Sequence, residues 1–171
     1  PRLAAASQIE AMYAQLERSL LEIGFLQPKT ARHGMFALRR LLGTPVGKAL
    51  KDFMVVKVTG RKSGRRFSIP VSAHVIDGQL YALAGSLWAV NFRGGAPAQV
   101  VHNGTTRTMR GELIEDGAEV AQLFHHCATD YGPRKAQRAM GLKFRDPRVP
   151  TLEEFRQAVA ANGFVAIRFT G

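Results

Sequence analysis

Apolar and polar positions change their period along the chain, and each change marks an element. Ser7 and Glu10 form a capping-box pair, after which Ile9, Met12, Tyr13, Leu16, Leu20 and Ile23 recur at three- and four-residue spacing until Gly24. That spacing predicts a helix. Residues 35–53, MFALRRLLGTPVGKALKDF, interleave basic and apolar residues, with Thr44 and Pro45 placed as N-cap and first position of a short helix. From Phe53 the pattern becomes that of strands. FMVVKV is a β-branched run of the kind that forms a buried strand. RFSIPVSAHVI and QLYALAG flank Asp77-Gly78, and AQVVH and TTRTMRGELI flank Asn103-Gly104. Each dipeptide predicts a two-residue type I′ hairpin, which needs positive φ at both positions. Pro70 cannot donate to a ladder, so its strand is expected to carry an edge or a bulge there.

Helical spacing returns at Asp116, with Val120, Leu123, Phe124, Cys127 and Tyr131 on one face and Gly132-Pro133 as the stop. A basic, weakly patterned stretch then runs to Pro150. Thr151 and Glu154 form a second capping box ahead of LEEFRQAVAA, Asn162-Gly163 close that helix, and FVAIRF reads as a final strand. The order is helices, one buried strand, four further strands in two hairpins, helices and one returning strand. It predicts an α+β fold whose small antiparallel sheet curls towards a barrel. Residues 1–171 are read as a single domain, with a helical segment over 1–52, a barrel core over 53–114, and helices with the final strand over 115–171.

Composition narrows the partners. The 171 residues carry 24 Lys and Arg against 13 acids, a net charge of +11, while a hydrophobic fraction of 46% is ample for a core. DNA, RNA, anionic lipid and phosphorylated small molecules are the partners such a charge admits. Nucleic acid is disfavoured, because the aromatic residues are not interleaved with cations along the strands as a stacking platform requires. The 35–53 stretch leaves two readings open: an interfacial membrane helix, giving peripheral contact with an anionic membrane, or a helix packed on the domain with solvated cations. The shortness of its pieces favours the second. No apolar run reaches 18 residues, the first residues do not form a secretory signal, and the single cysteine, Cys127, excludes an internal disulfide. A cytoplasmic protein is expected.

Two stretches carry candidate chemistry. VTGRKSGRRFSIP, residues 58–70, concentrates Arg61, Lys62, Arg65 and Arg66 around Gly60 and Gly64. Between two strands, backbone N–H groups near Gly60 and Gly64 would be free to form an anion nest, Ser63 would add a hydroxyl, Lys62 a mobile charge, and Arg61 and Arg65 bidentate contacts. The competing reading is a solvated hairpin loop; the spacing of a Walker loop is absent. GSLWAVNFRGG, residues 85–95, places Trp88 and Asn91 three residues apart on one face of a helical turn. The indole there is suited to stacking on a flat ring, or else to filling the core while Asn91 caps the turn. Cys127 reads as a small core residue. His125-His126 lack metal-ligand spacing, so no metal site is expected, and no G-x-S-x-G is present.

Thr59-Gly60-Arg61-Lys62-Ser63-Gly64, the strand proline Pro70, the Asp77-Gly78 turn and then Trp88-x-x-Asn91, in this order, resemble the deazaflavin-dependent nitroreductase family, which uses coenzyme F-420. The likeness covers residues 53–114. It implies a split β-barrel with flanking N- and C-terminal helices, commonly a homodimer, that binds the deazaflavin beside the barrel. It implies that Arg61, Lys62, Ser63 and Gly64 hold the cofactor's phosphate and acidic tail. Ser68, Ile69 and Pro70 would line the ring through the strand backbone, and Trp88 and Asn91 would close the site near Ser86. The cofactor carries the hydride chemistry, and Ser86 or Tyr131 would donate a hydrogen bond or proton to the acceptor. The chain departs from the family at Arg66-Phe67, where Pro-Arg is usual, at Ile69, where Asn is usual, and at Ser72, an aromatic residue in some nitroreducing members. These departures favour a quinone-like or other activated-alkene acceptor over a nitro group. The alternatives are a related split barrel that binds FMN, or a basic non-enzymatic binder of anionic membrane or nucleic acid.

Overall fold

The computed structural model describes residues 52–84 and 87–171. The helices expected before residue 52, residues 35–51 of the 35–53 segment and Ser86 lie outside the described residues. Seven strands, β1 (Phe53–Thr59), β2 (Arg66–Ser72), β3 (His74–Ile76), β4 (Gln79–Ala84), β5 (Ala96–His102), β6 (Thr105–Ile114) and β7 (Val165–Thr170), join in one sheet of order β2-β1-β5-β6-β7-β4-β3. With its two C-terminal helices this is the α+β, antiparallel split-barrel class expected from the sequence. The residues form two compact units: one includes β1, β2 and Ala98–Met109, and the other comprises His74–Pro97 and Arg110–Gly171.

In the first unit, β1 pairs antiparallel with β2 on one side, from Phe53↔Ser72 to Thr59↔Arg66, and with β5 on the other. Phe53, Met54, Val55, Val56 and Val58 are all buried, so the unbroken apolar run reflects a strand covered on both faces. Pro70 sits opposite Val55 on β2, the end strand of the order, where a missing N–H breaks no second ladder. The edge expected there is present. The single long strand expected up to Asp77 is corrected: it breaks after Ser72, and β3 pairs with β4 instead. Six strands therefore precede the helices. Asp77 and Gly78, at φ 51° and 76°, and Asn103 and Gly104, at 53° and 71°, take the positive φ values that type I′ turns require.

In the second unit, β7 lies between β4 and β6. Helices α1 (Gly117–Met140) and α2 (Leu152–Asn162) share a core with these strands, built on Ile76, Ile114, Val120, Phe124, Cys127, Phe155, Val159 and Ala166. The Phe124 and Phe164 rings stack at 5.2 Å and 11°. Asp116 caps α1 by accepting from the Glu119 amide, and the Thr151–Glu154 capping box opens α2 as expected. The stop expected at Gly132-Pro133 is a kink instead: Gly132 takes φ 76°, Pro133 begins a second helical segment, and this continues to Met140. Its buried face is made of Ala136, Ala139 and Met140, and the two alanines are too small to stand out among Arg134, Lys135 and Arg138 in the sequence.

Candidate functional site

The loop after β1 is a closed hairpin connection with its cations outside. Gly60 N–H donates to the Arg65 carbonyl at 2.8 Å, Gly64 N–H to the Gly60 carbonyl at 2.9 Å, and Arg65 N–H to Ser63 Oγ at 3.2 Å. The expectation that the Gly60 and Gly64 amides are free for a ligand is therefore corrected: both close the loop. The amides of Lys62 and Ser63, at the tip, take no part in that closure. Ser63 Oγ accepts from Arg65, which leaves its O–H to donate. Gly64 sits at φ +65°, the left-handed region that favours glycine. Residues 61–66 are all exposed, so Arg61, Lys62, Arg65 and Arg66 project a dense positive field into solvent.

The loop leads directly into β2, where Ser68 is half-buried and Ile69 and Pro70 are buried. Ser68 and Pro70 share one face of the strand and Ile69 takes the other. As β2 ends the strand order, alternate backbone groups along it point away from β1.

In the second unit, Leu87–Phe92 form a 3-10 turn. Three residues per turn place Trp88 and Asn91 in register, and Asn91 Nδ2 donates to the Trp88 carbonyl at 2.8 Å. Asn91 thus holds the turn's own backbone. The Trp88 indole is buried and meets Phe92 edge-on at 6.0 Å, and Phe92 meets Phe169 edge-on at 5.7 Å. Trp88 Nε1 is buried without a hydrogen-bond partner among the described residues. Arg93 follows the turn and makes a two-pronged ion pair with Glu115, at 2.6 and 3.1 Å. That pairing raises the Arg93 pKa and lowers that of Glu115. Gly94 and Gly95 then adopt φ 76° and 86°, and Arg110 Nη2 donates to the Gly94 carbonyl.

Tyr131, singled out by the sequence, lies half-buried at the end of the first segment of α1. Its hydroxyl is 2.8 Å from Nδ1 of His74, a residue that no sequence motif marks. His74 is 1% exposed, and burial pushes its pKa down to about 4, so it is neutral at pH 7. Its Nε2 has no hydrogen-bond partner among the described residues. The available signal was the alternation of His74, Val75 and Ile76, in which the exposed valine sets the histidine on the buried side. The ammonium of Lys135 sits 5.0 Å from the Tyr131 ring centroid. Cys127 is buried as expected, and desolvation, with Asp130 adding to it, pushes its thiol up to about 12.

Comparison with known proteins adds three partial likenesses. No protein-family model matches the chain. A stretch of 41 residues, 24% of the chain, is 54% identical to the tRNA (cytidine/uridine/adenosine-2'-O-)-methyltransferase TrmJ of Pseudomonas aeruginosa, and spans only 16% of that protein. Among solved structures, a conserved hypothetical protein from Mycobacterium tuberculosis is similar with a TM-score of 0.40 and 15% identity, over 70% of this chain and 72% of that one. A pyridoxamine 5'-phosphate oxidase-related, FMN-binding protein from Nostoc punctiforme is similar with a TM-score of 0.41 and 14% identity, over 85% of this chain and 81% of that one. Among the described residues, no helix is long and apolar enough to cross a membrane.

Proposed function

We propose that the chain is a deazaflavin-dependent oxidoreductase whose 60–65 loop holds the phosphate and acidic tail of coenzyme F-420. The acceptor would be a quinone-like molecule or another activated alkene, with a nitro compound the less favoured choice. The observation that carries this reading is the state of the hexapeptide Thr59–Gly64. Its two glycines are committed to closing the hairpin loop, while its cations and the Ser63 hydroxyl remain on the outside. A loop built only as a connector has no need to concentrate four cations there, since their mutual repulsion is a cost.

The donor set fits a phosphorylated, carboxylate-bearing tail. Lys62 and Arg61 supply charge, Arg65 and Arg66 add to the field, and the Ser63 O–H and the tip amides supply directed donors. The outward backbone edge of β2 at Ser68, Ile69 and Pro70 would meet the ring. When bound, a reduced deazaflavin supplies the hydride. The remaining assignments, Trp88, Asn91 and Ser86 around the ring and Tyr131 as hydrogen-bond donor to the acceptor, belong to the same proposal and rest on the family resemblance.

FMN also carries a phosphate ester, so the loop alone does not choose between the two cofactors. A fluorescence titration with oxidised F-420, with FMN as competitor, separates them. Saturable binding that FMN does not displace, and that the Arg61→Ala/Lys62→Ala double variant loses, supports the deazaflavin reading. Preference for FMN moves the chain to flavin chemistry, and binding of neither removes the proposal.

A further inference from the structure

The run from Gly132 to Arg145, GPRKAQRAMGLKFR, holds five cations and no acid. Lys135 and Arg138 have partners within the protein and are set aside. Arg134, Lys143 and Arg145 are exposed and have no ion-pair partner among the described residues. The nearest acids in sequence on either side, Asp130 and Asp146, lie against His126 and Arg148. One side chain fixes how the three cations are displayed. Gln137 Nε2 donates to the Pro133 carbonyl at 3.0 Å, and Gln137 Oε1 accepts from the Phe144 amide at 2.9 Å. The first group belongs to the peptide unit leading into Arg134 and the second to the unit leaving Lys143, so a single carboxamide ties the two backbones together. Leu142 and Phe144 pack inward, Phe144 edge-on to Phe155 at 6.4 Å, which leaves Lys143 and Arg145 exposed.

We propose that Arg134, Lys143 and Arg145 form an electrostatic docking surface for an anionic membrane. A polyanion offsets the mutual repulsion of cations held close together, and the neighbouring side chains choose which polyanion. An acidic protein surface would need an apolar patch at the centre of the contact. The large apolar residues exposed among the described ones are Val75 and Val90, neither of them in this stretch. A nucleic-acid backbone is gripped by neutral donors as well as by charge. The one neutral polar side chain between Gly132 and Arg145, Gln137, is spent on the backbone around it. A bilayer of acidic lipid asks only for clustered charge at close range. A quinone-like acceptor is lipid-soluble, so such docking would bring the chain to its substrate. That consequence rests on the oxidoreductase reading; the docking itself does not.

The test is co-sedimentation of the full chain, at low salt and without cofactor, with vesicles of phosphatidylcholine alone and of phosphatidylcholine with phosphatidylserine. Binding is expected only to the vesicles that contain phosphatidylserine; binding to neither, or equally to both, overturns the proposal. Each cation near an anionic bilayer contributes about fivefold to partitioning, so Arg134→Ala/Lys143→Ala/Arg145→Ala is expected to lose about a hundredfold. Arg61→Ala/Lys62→Ala/Arg65→Ala removes the same charge elsewhere and is expected to lose far less. Equal losses would mean that net charge alone draws the chain to the vesicles, and the docking surface would be abandoned. Arg134→Lys/Arg145→Lys is expected to bind as the wild type does, because a bilayer surface reads charge rather than the guanidinium fork; a loss there counts against the proposal. If the triple alanine variant keeps its vesicle binding but loses binding to a short DNA duplex, the surface belongs to nucleic acid instead. No cofactor enters these measurements, so their outcome stands apart from that of the F-420 titration.

Discussion

The Phe67 ring lies across Gly60, so closely that a Cβ built on Gly60 would be 2.6 Å from Phe67 Cε2 and 2.8 Å from Ser63 Oγ. The first glycine of the cationic loop is therefore required by packing: only a residue without a side chain lets β2 start where it does. Gly60→Ala is expected to cost about 1–3 kcal/mol, as overpacking commonly does, because a ring anchored in the sheet has little room to yield. Urea unfolding at pH 7 checks the direction. An unchanged midpoint would mean that the loop shifts freely and that its closing bonds are not what holds it.

The loop's cations predict the opposite behaviour. Arg61, Lys62, Arg65 and Arg66 are exposed, so Lys62→Ala is expected to leave the unfolding midpoint within about 0.5 kcal/mol of wild type, the range for surface positions. Affinity for a phosphate-bearing ligand is expected to fall by about tenfold, the scale of one charge-assisted hydrogen bond. The wild-type affinity should also weaken between low and physiological salt, since exposed charges are screened over about 8–10 Å. Isothermal titration at two salt concentrations reads both effects. Salt-independent binding would place the ligand away from these residues.

Cys127 is expected to be inert in the native state. It is 2% exposed, and its thiol is pushed up to about 12, so thiolate is scarce at pH 8. Reaction with a disulfide reagent at pH 8 is expected to be slow and to become rapid in denaturant. Rapid labelling of the folded chain would mean that α1 opens readily around this position.

Much of this architecture was legible because local chemistry and tertiary fold agree. Asp77-Gly78 and Asn103-Gly104 mark turns whose positive φ few other residues adopt cheaply, and Asp116 and Thr151 open helices through bonds made within four residues. What escaped depends on contacts distant in sequence. The second segment of α1 buries alanines among cations, so its amphipathic face carried little contrast. The break after Ser72 follows from β3 pairing with β4, not from any residue at the break. In the candidate site, the loop's position and its cations were readable, but the use of the Gly60 and Gly64 amides was not, because Arg65 O and Gly60 O become acceptors only once the loop folds back. His74 was missed for a similar reason: its partner Tyr131 is 57 residues away.

That buried histidine also predicts how stability responds to pH. In the unfolded chain His74 titrates near its ordinary value of 6.5, whereas in the fold burial holds it near 4. Above pH 6.5 both states are neutral and no stability is lost. As pH falls from 6.5 to 4 the unfolded chain takes up a proton that the folded chain refuses, so unfolding becomes progressively easier; below 4 both are protonated and the loss levels off. At 1.36 kcal/mol per pKa unit, the full loss is about 3 kcal/mol. Carboxylates also titrate near the lower end of this window: Glu112 and Glu154 are held below their ordinary value by Arg168 and Arg148. Their contribution is removed by subtraction. The wild type and His74→Asn, unfolded in urea at pH 7.5, 5.5 and 4, are expected to converge as the pH falls, because only the wild type carries the histidine's proton penalty. Curves that stay parallel would show that the imidazole is protonated inside the fold, and with it that the Tyr131 hydroxyl is held by a charged partner.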